Sequence, residues 1–233
     1  LGGEKPVGAA LALQGLGDEV ERQLDLIPSE TTVSERRLLY LFFRCIWAGK
    51  NHVFEVGPFL GGTSRAIAMG MQANACRDPA ARFIISDRFS FYHSREALEA
   101  ILKPLFERGV LSEADRNLIG EQASFREIYR RIHEKSSYFP LMEIRDQILP
   151  DWPEEAASPG LVNLPAEGTF GAFFVDGCKS WYSTKYLLVQ SARCAAPGAA
   201  FIFQDYAWPT CFWIPLCAGL LQDHFQLVMH ADA

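Results

Sequence analysis

The sequence predicts a doubly wound α/β domain on a mostly parallel sheet. Three observations carry that prediction. Short apolar runs at 82–86, 172–175 and 200–203 are continuous rather than alternating, as in strands buried on both faces. They are separated by stretches with apolar residues at helical spacing. The first strand runs into a Gly/Pro turn and then a helix, so half of a βαβ unit is legible near the N-terminal third.

Each element has its own signal. Residues 1–17, rich in Gly and Ala, read as a loose lead-in or a frayed helix. Residues 18–26 read as a short amphipathic helix ended by Ile27-Pro28-Ser29. Ser34 is placed to cap a helix over 35–48, with Leu38, Leu39, Leu41, Phe42, Cys45 and Ile46 on one stripe and Gly49 closing it. Residues 53–56 form the first strand, 57–62 the turn, and Thr63-Ser64 open the next helix. The second strand is 82–86, ending at Asp87. Helices are expected over 94–108 and 112–135, and a third strand over 141–144. Residues 151–168 carry three prolines and read as loop. The fourth strand is 172–175, followed by a helix over 183–194 and a Pro197-Gly198 turn. The fifth strand is 200–203, then a helix over 211–221 and a final strand over 225–230. The stretch 94–137 exceeds an ordinary crossover and is read as a helical insertion. The whole chain, 1–233, is read as one domain with a helical lead-in over 1–50.

Composition narrows the function. Of 233 residues, 49% are hydrophobic and 21% charged, enough for a sizeable core and too much for disorder. A net charge of −6 argues against nucleic acid as a partner. The densest apolar stretch, 38–48, is broken by Arg44 and falls short of the roughly 18 residues of a membrane span, so no membrane partner is expected. The cysteines (Cys45, Cys76, Cys178, Cys194, Cys211 and Cys217) have neither C-x-x-C nor zinc spacing, and read as reduced, mostly buried thiols of a cytoplasmic protein. The absence of an initial Met suggests a missing native N-terminus. The lone last strand suggests a chain that continues past Ala233.

Ligands of open parallel sheets sit at the carboxyl ends of the strands. There the sequence places Glu55 with Gly57, then Asp87, Asp146, Asp176 and Asp205. The turn Glu55-Val56-Gly57-Pro58-Phe59-Leu60-Gly61-Gly62-Thr63-Ser64 is neither G-x-G-x-x-G nor a P-loop. Gly57 is expected to bend the chain out of the strand. Gly61 and Gly62 are expected to let backbone approach a ligand. An acid beside a glycine turn suits a ligand bearing an amino group rather than a phosphate.

The pattern Glu-x-Gly-x-x-x-Gly-Gly-x-Ser resembles motif I of class I S-adenosylmethionine-dependent methyltransferases, and the resemblance extends over about 29–232. It implies a Rossmann-like sheet and S-adenosylmethionine as cofactor. Glu55, Gly57, Phe59, Gly61, Thr63 and Ser64 would hold its methionine end, and Asp87 its ribose hydroxyls. Asp146 or Gln147 would lie near the adenine, with Phe89 or Phe91 stacking on it, and Asp176 would close the cofactor site.

The run Asp176-Gly177-Cys178-Lys179-Ser180-Trp181-Tyr182 resembles two metal-dependent O-methyltransferase groups at once. Asp-Gly and Ser-Trp-Tyr are similar to the macrocin-type enzymes. A lysine three residues after the acid is similar to the catechol-type ones. By that resemblance Asp176, Gln204 and Asp205 would hold Mg²⁺ or another divalent cation, and Lys179 would be the general base beside Asp176. Gln204 departs from the acid both groups carry there. Trp181, Tyr182, Tyr206, Trp208, Phe212 and Trp213 suit an aromatic or sugar acceptor, and equally a core or the face of a homo-oligomer. His93, His133, His224 and His230 show no partner pattern and read as surface histidines, with His93 the one to watch. Arg126, Arg130, Arg131 and Lys135 read as a solvated face.

The expectation is therefore O-methylation of a small molecule. The alternatives are a metal-independent N- or carboxyl-methyltransferase, or a non-catalytic cofactor- or partner-binding domain of a larger protein.

Overall fold

A computed structural model of the chain describes residues 15–90, 92–119, 124–165, 169–206 and 208–226. Helices α1 (Asp18–Leu24) and α2 (Val33–Cys45) lead into β1 (His52–Val56), α3 (Gly62–Ala73) and β2 (Phe83–Asp87). Then come α4 (Arg95–Glu107), a 3₁₀ turn (Glu113–Leu118), α5 (Arg126–His133) and β3 (Met142–Asp146). The described chain is completed by β4 (Phe170–Val175), α6 (Trp181–Cys194), β5 (Ala195–Phe203) and α7 (Trp213–Leu220).

The strands form one five-stranded sheet in the order β3-β2-β1-β4-β5, every neighbouring pair parallel. The chain winds outward from β1 to β3, then crosses back to lay β4 on the other side of β1. That reversal makes the β1/β4 boundary the topological switch point, where a crevice opens beyond the strand ends.

Side-chain alternation along the strands fills two layers. Val53, Phe83, Ile85, Ala172 and Phe174 face α2 and α3. Phe54, Val56, Ile84, Phe173 and Val175 face the other way, onto Leu187 and Cys194 of α6 and onto Leu149, Val162 and Leu164 of the β3–β4 connection. Phe54, Phe83, Phe170 and Phe173 are fully buried, each contributing about 1.5–3 kcal/mol relative to exposure. A third cluster, with Leu98, Leu102 and Leu105 of α4 and Ile128 and Ile132 of α5, lies beyond the strand ends and includes Ile27 and Leu60.

Several boundaries differ from expectation for local reasons. Helix α2 is capped by Thr32, not Ser34: its hydroxyl accepts from Glu35 N while Glu35 reaches back to Thr32 N, a reciprocal capping box. It ends at Cys45, before Gly49. Strand β5 begins at Ala195. Pro197-Gly198 makes no turn between separate elements but an irregularity inside the strand, where the register to β4 jumps from Phe170↔Ala195 to Ala172↔Ala200. Only the 3₁₀ turn and α5 are helical within 112–135, and residues 120–123 lie outside the described residues. The helix expected over 94–108 is there, with Ser94 accepting from Ala97 N. Of the strand expected over 225–230, residues 225 and 226 are not in a strand and the rest lie outside the described residues.

Candidate active site at the sheet switch point

Glu55, near the end of β1, is completely buried. Thr63 Oγ1 donates to its Oε1 at 2.7 Å, and Ser64 Oγ to its Oε2 at 2.5 Å. The carboxylate thereby fastens the first turn of α3 to β1. It acts on the glycine turn through Thr63 and Ser64. Burial pushes its pKa up to about 7 against the pull of these two hydroxyls, and Asp176 and Asp87 add repulsion.

Gly57 leaves β1 at φ +82° and Gly61 precedes α3 at φ +88°, conformations that glycine adopts freely. The sharp bend expected at Gly57 is present. On the side where a Cβ would stand, Gly61 and Gly62 face protein. A Cβ on Gly61 would collide with the His133 ring, and one on Gly62 would lie 2.5 Å from Ser29 Cβ. Phe59 is also left-handed (φ +48°) and packs on Tyr92, His93 and Phe125.

His133 is fully buried, not at the surface. Its Nε2 faces the Leu60 carbonyl at 3.2 Å and its Nδ1 faces Tyr138 Oη at 2.9 Å. A carbonyl only accepts, so Nε2 carries the proton and Nδ1 accepts from the phenol. Arg65 Nη1 in turn donates to Tyr138 Oη at 3.0 Å. Arg65, Tyr138 and His133 form a one-way chain of donors that ends on the glycine turn. Burial pushes the His133 pKa down to about 3.

Asp87 ends β2. Its Oδ1 accepts from Phe89 N at 2.5 Å, which fixes the carboxylate, and burial raises its pKa to about 6. Phe89 is a core aromatic packed on Phe125 and Tyr129 and is no stacking platform. Phe91 lies outside the described residues. Asp146 stands opposite Asp87 in the β2/β3 register but is exposed, and Ser86 Oγ donates to Gln147 Oε1 at 3.2 Å.

On the other flank, Asp176 follows β4 directly and packs against the turn: a Cβ on Gly57 would lie 2.9 Å from the Asp176 carbonyl carbon. Lys179 Nζ donates to Asp176 Oδ1 at 2.8 Å and to Asp205 Oδ2 at 2.7 Å. The Gln204 amide bonds in the orientation that turns its NH₂ toward Asp176, 2.6 Å from Oδ1. Burial raises the Asp176 pKa to about 6 against the pull of Lys179. For Lys179 burial works against the charge, but Asp176 and Asp205 more than offset it and hold the ammonium's proton more tightly than usual. A lysine acting as a base needs the opposite shift.

The expected divalent cation does not fit this arrangement. The Lys179 ammonium stands between the two carboxylates, and the amide expected as an oxygen ligand satisfies Asp176 when assigned with its NH₂ toward it. Among the described residues no group of three or more His, Cys, Asp or Glu side chains is placed to hold a metal ion.

Two further residues were invisible in the sequence. Glu30, on the loop before α2, accepts from Tyr92 Oη at 3.3 Å, and its charge reaches both Tyr92 and Asp176. A lone Glu in a loop carries no sequence signal. Of the aromatics expected around the site, Trp208 and Phe212 are exposed, while Trp213 Nε1 donates to the Cys178 carbonyl at 3.3 Å. The basic residues of α5 form exposed pairs, Arg130 with Glu127 and Glu134, and Arg131 with Glu127, Glu134 and Asp115. Four of the cysteines are buried and all six are free thiols. No helix among the described residues is long and apolar enough to cross a membrane.

The buried acid has a thermodynamic signature. Glu55 binds its proton more tightly folded than unfolded. The stability it contributes is complete below about pH 4.5 and is lost as pH rises through about 7. His133 works the other way, since protonation of the unfolded chain below about pH 6.5 removes stability on acidification. Comparison with Glu55→Gln separates the two. From pH 5 to pH 8 the variant should gain about 3 kcal/mol relative to the parent in urea denaturation. A pH-independent difference would show that Glu55 keeps an ordinary pKa.

No protein-family model matches the chain, and no curated protein matches it. Among solved structures, similarity is found to the methyltransferase PaMTH1 of Podospora anserina with SAH bound. The identity is 13% over 96% of this chain and 92% of that one, with a TM-score of 0.44. An O-methyltransferase candidate from Klebsiella pneumoniae is 12% identical over 94% and 80%, with a TM-score of 0.43. The O-methyltransferase TomG of Streptomyces achromogenes, involved in tomaymycin synthesis and in complex with SAM, is 16% identical over 94% and 85%, with a TM-score of 0.44.

Proposed function

We propose that the chain is an S-adenosylmethionine-dependent methyltransferase acting on a hydroxyl of a small molecule. One observation carries the reading: Asp87 and Asp176 flank the glycine turn at the β1/β4 switch point, both with pKa values pushed up to about 6. Partly buried carboxylates with raised pKa values favour a ligand that brings positive charge and hydroxyl donors, and disfavour a phosphate. S-adenosylmethionine has an ammonium, a sulfonium and two ribose hydroxyls, and when bound it supplies an electrophilic methyl group.

In this reading Asp87 accepts the ribose hydroxyls, for which its fixed carboxylate has lone pairs to spare. Gly57, Phe59 and Gly61 shape the turn, and Glu55, Thr63 and Ser64 hold it. Asp146 stands one strand further out, toward an adenine. Lys179 and Asp176 face the acceptor. The ammonium orients the acceptor oxygen by donating to it, and the Asp176 carboxylate takes the proton released as the oxygen is methylated. The acceptor is a small aromatic or sugar hydroxyl, consistent with Tyr92, which feels the charges of Asp176 and Asp87. A cytoplasmic location and self-association belong to the same reading.

Calorimetric titration with S-adenosylmethionine tests it. The parent should bind, and Asp87→Ala should weaken binding by roughly ten- to hundredfold, the loss of a charge-assisted hydrogen bond worth about 1.5–3 kcal/mol. Binding unaffected in a folded Asp87→Ala protein would remove Asp87 from the site, and no binding to the parent would overturn the function. Phenols and sugars offered with methyl-labelled cofactor then identify the acceptor.

A further inference from the structure

We infer that Lys179 is the resident cation of the strand-end site, standing where a divalent metal would otherwise bridge Asp176 and Asp205. The inference rests on three placements. Lys179 Nζ is 2.8 Å from one carboxylate and 2.7 Å from the other, so a single ammonium bridges both acids. The Gln204 amide lies against Asp176, and assigning its NH₂ toward that carboxylate satisfies both groups. Asp205 Oδ2 also receives the Cys211 thiol at 3.9 Å, a soft donor rather than a further hard oxygen ligand. Mg²⁺ and Ca²⁺ require a shell of oxygen ligands, usually two or more of them from carboxylate, carbonyl or amide groups. Here Asp176 Oδ1 and Asp205 Oδ2 already accept hydrogens from protein donors.

The spacing explains how the ammonium arrives. Gly177 and Cys178 carry the chain past the end of β4, and Ser180 caps α6, accepting from Ser183 N at 3.0 Å. Lys179 is therefore held two residues before the helix, directly ahead of its cap. Its side chain is half-exposed (55%), whereas those of Asp176 and Asp205 are 15% and 24% exposed. The lysine reaches inward from the rim to close two more buried acids. Two carboxylates with one ammonium carry one net negative charge. With a divalent ion added the cluster would become net positive, with Lys179 repelled from its place.

Removing the lysine should create the vacancy that the native chain fills. Without it, Asp176 and Asp205 face each other uncompensated, and rotation of Gln204 would add an amide oxygen. Manganese is the probe, because Mn²⁺ accepts the same oxygen ligands as Mg²⁺ and is visible by electron paramagnetic resonance without any turnover.

The parent should show no saturable Mn²⁺ binding in the micromolar range, and Lys179→Met should gain one site with affinity at least tenfold above the parent's. Lys179→Arg, which keeps the positive charge, should not gain it. Saturable Mn²⁺ binding by the parent that Asp205→Asn abolishes would overturn the inference, whatever the variants do. A folded Lys179→Met protein that gains no Mn²⁺ site would overturn it as well. The measurement is independent of the methyl-transfer reading: failure to bind S-adenosylmethionine leaves this inference standing, and Mn²⁺ binding by the parent leaves that reading standing.

Discussion

Gly57→Ala is expected to cost about 2–5 kcal/mol of folding free energy. An L-residue held at φ +82° costs about 1–2 kcal/mol. The added Cβ would also sit 2.5 Å from Gly177 N and 2.9 Å from the Asp176 carbonyl carbon. Those atoms are backbone on both sides, so no side chain can swing away, and overpacking of this kind costs about 1–3 kcal/mol. Gly160→Ala provides the comparison, because Gly160 has φ +77° with nothing within 4 Å of an added Cβ. It should show the conformational part alone, about 1–2 kcal/mol. Urea denaturation of the three proteins separates the parts. Equal losses at both glycines would mean that β1 and β4 part without cost.

Lys179→Met should lower turnover by about 10²–10³-fold, the usual loss on removing a preorganised charged donor from a reaction site. Affinity for S-adenosylmethionine should persist, because Lys179 faces the acceptor side of Asp176. Lys179→Arg discriminates between roles. A guanidinium stays protonated and cannot act as a base, so activity above the Met variant's assigns the role to the charge. If Arg and Met are equally inactive in folded proteins and the activity of the parent rises steeply with pH, lysine is the base after all. Labelled methyl transfer on the acceptor found by screening measures both.

The core of this fold was readable because its signals are local. The strand-turn-helix from Val53 to Met71 has an apolar run, glycines and a helical period in sequence, and the Ser94 cap precedes its helix directly. Strand β5 was cut short because Pro197-Gly198 is turn chemistry used inside a strand, where only pairing to β4 makes it an irregularity. His133 has no partner pattern in the sequence, yet its burial is signalled there. Phe125, Ile128, Tyr129, Ile132 and His133 recur at intervals of three, four, seven and eight residues, so His133 continues the buried stripe of α5. The acids at the ends of β1, β2 and β4 were legible as positions. Which cation meets them was not, because the reach of Lys179 to Asp205 depends on two loops folding toward each other. Glu30 and Tyr92 come from segments without period or motif, and only tertiary structure joins them.

The third apolar cluster has a consequence for how the molecule breathes. Its members come from α4, α5, the segment between them and the loop before α2, and Leu60 and Phe59 join it to the turn. A satellite core of this kind can open as a cooperative unit at lower free energy than the sheet. Leu60 is also the residue whose carbonyl receives His133. Phe125 and Tyr129 on the other face of α5 belong to the main core, so α5 is shared between the two clusters. Loosening of the satellite therefore reaches the turn through Leu60, while His133 stays on the helix face that the main core holds.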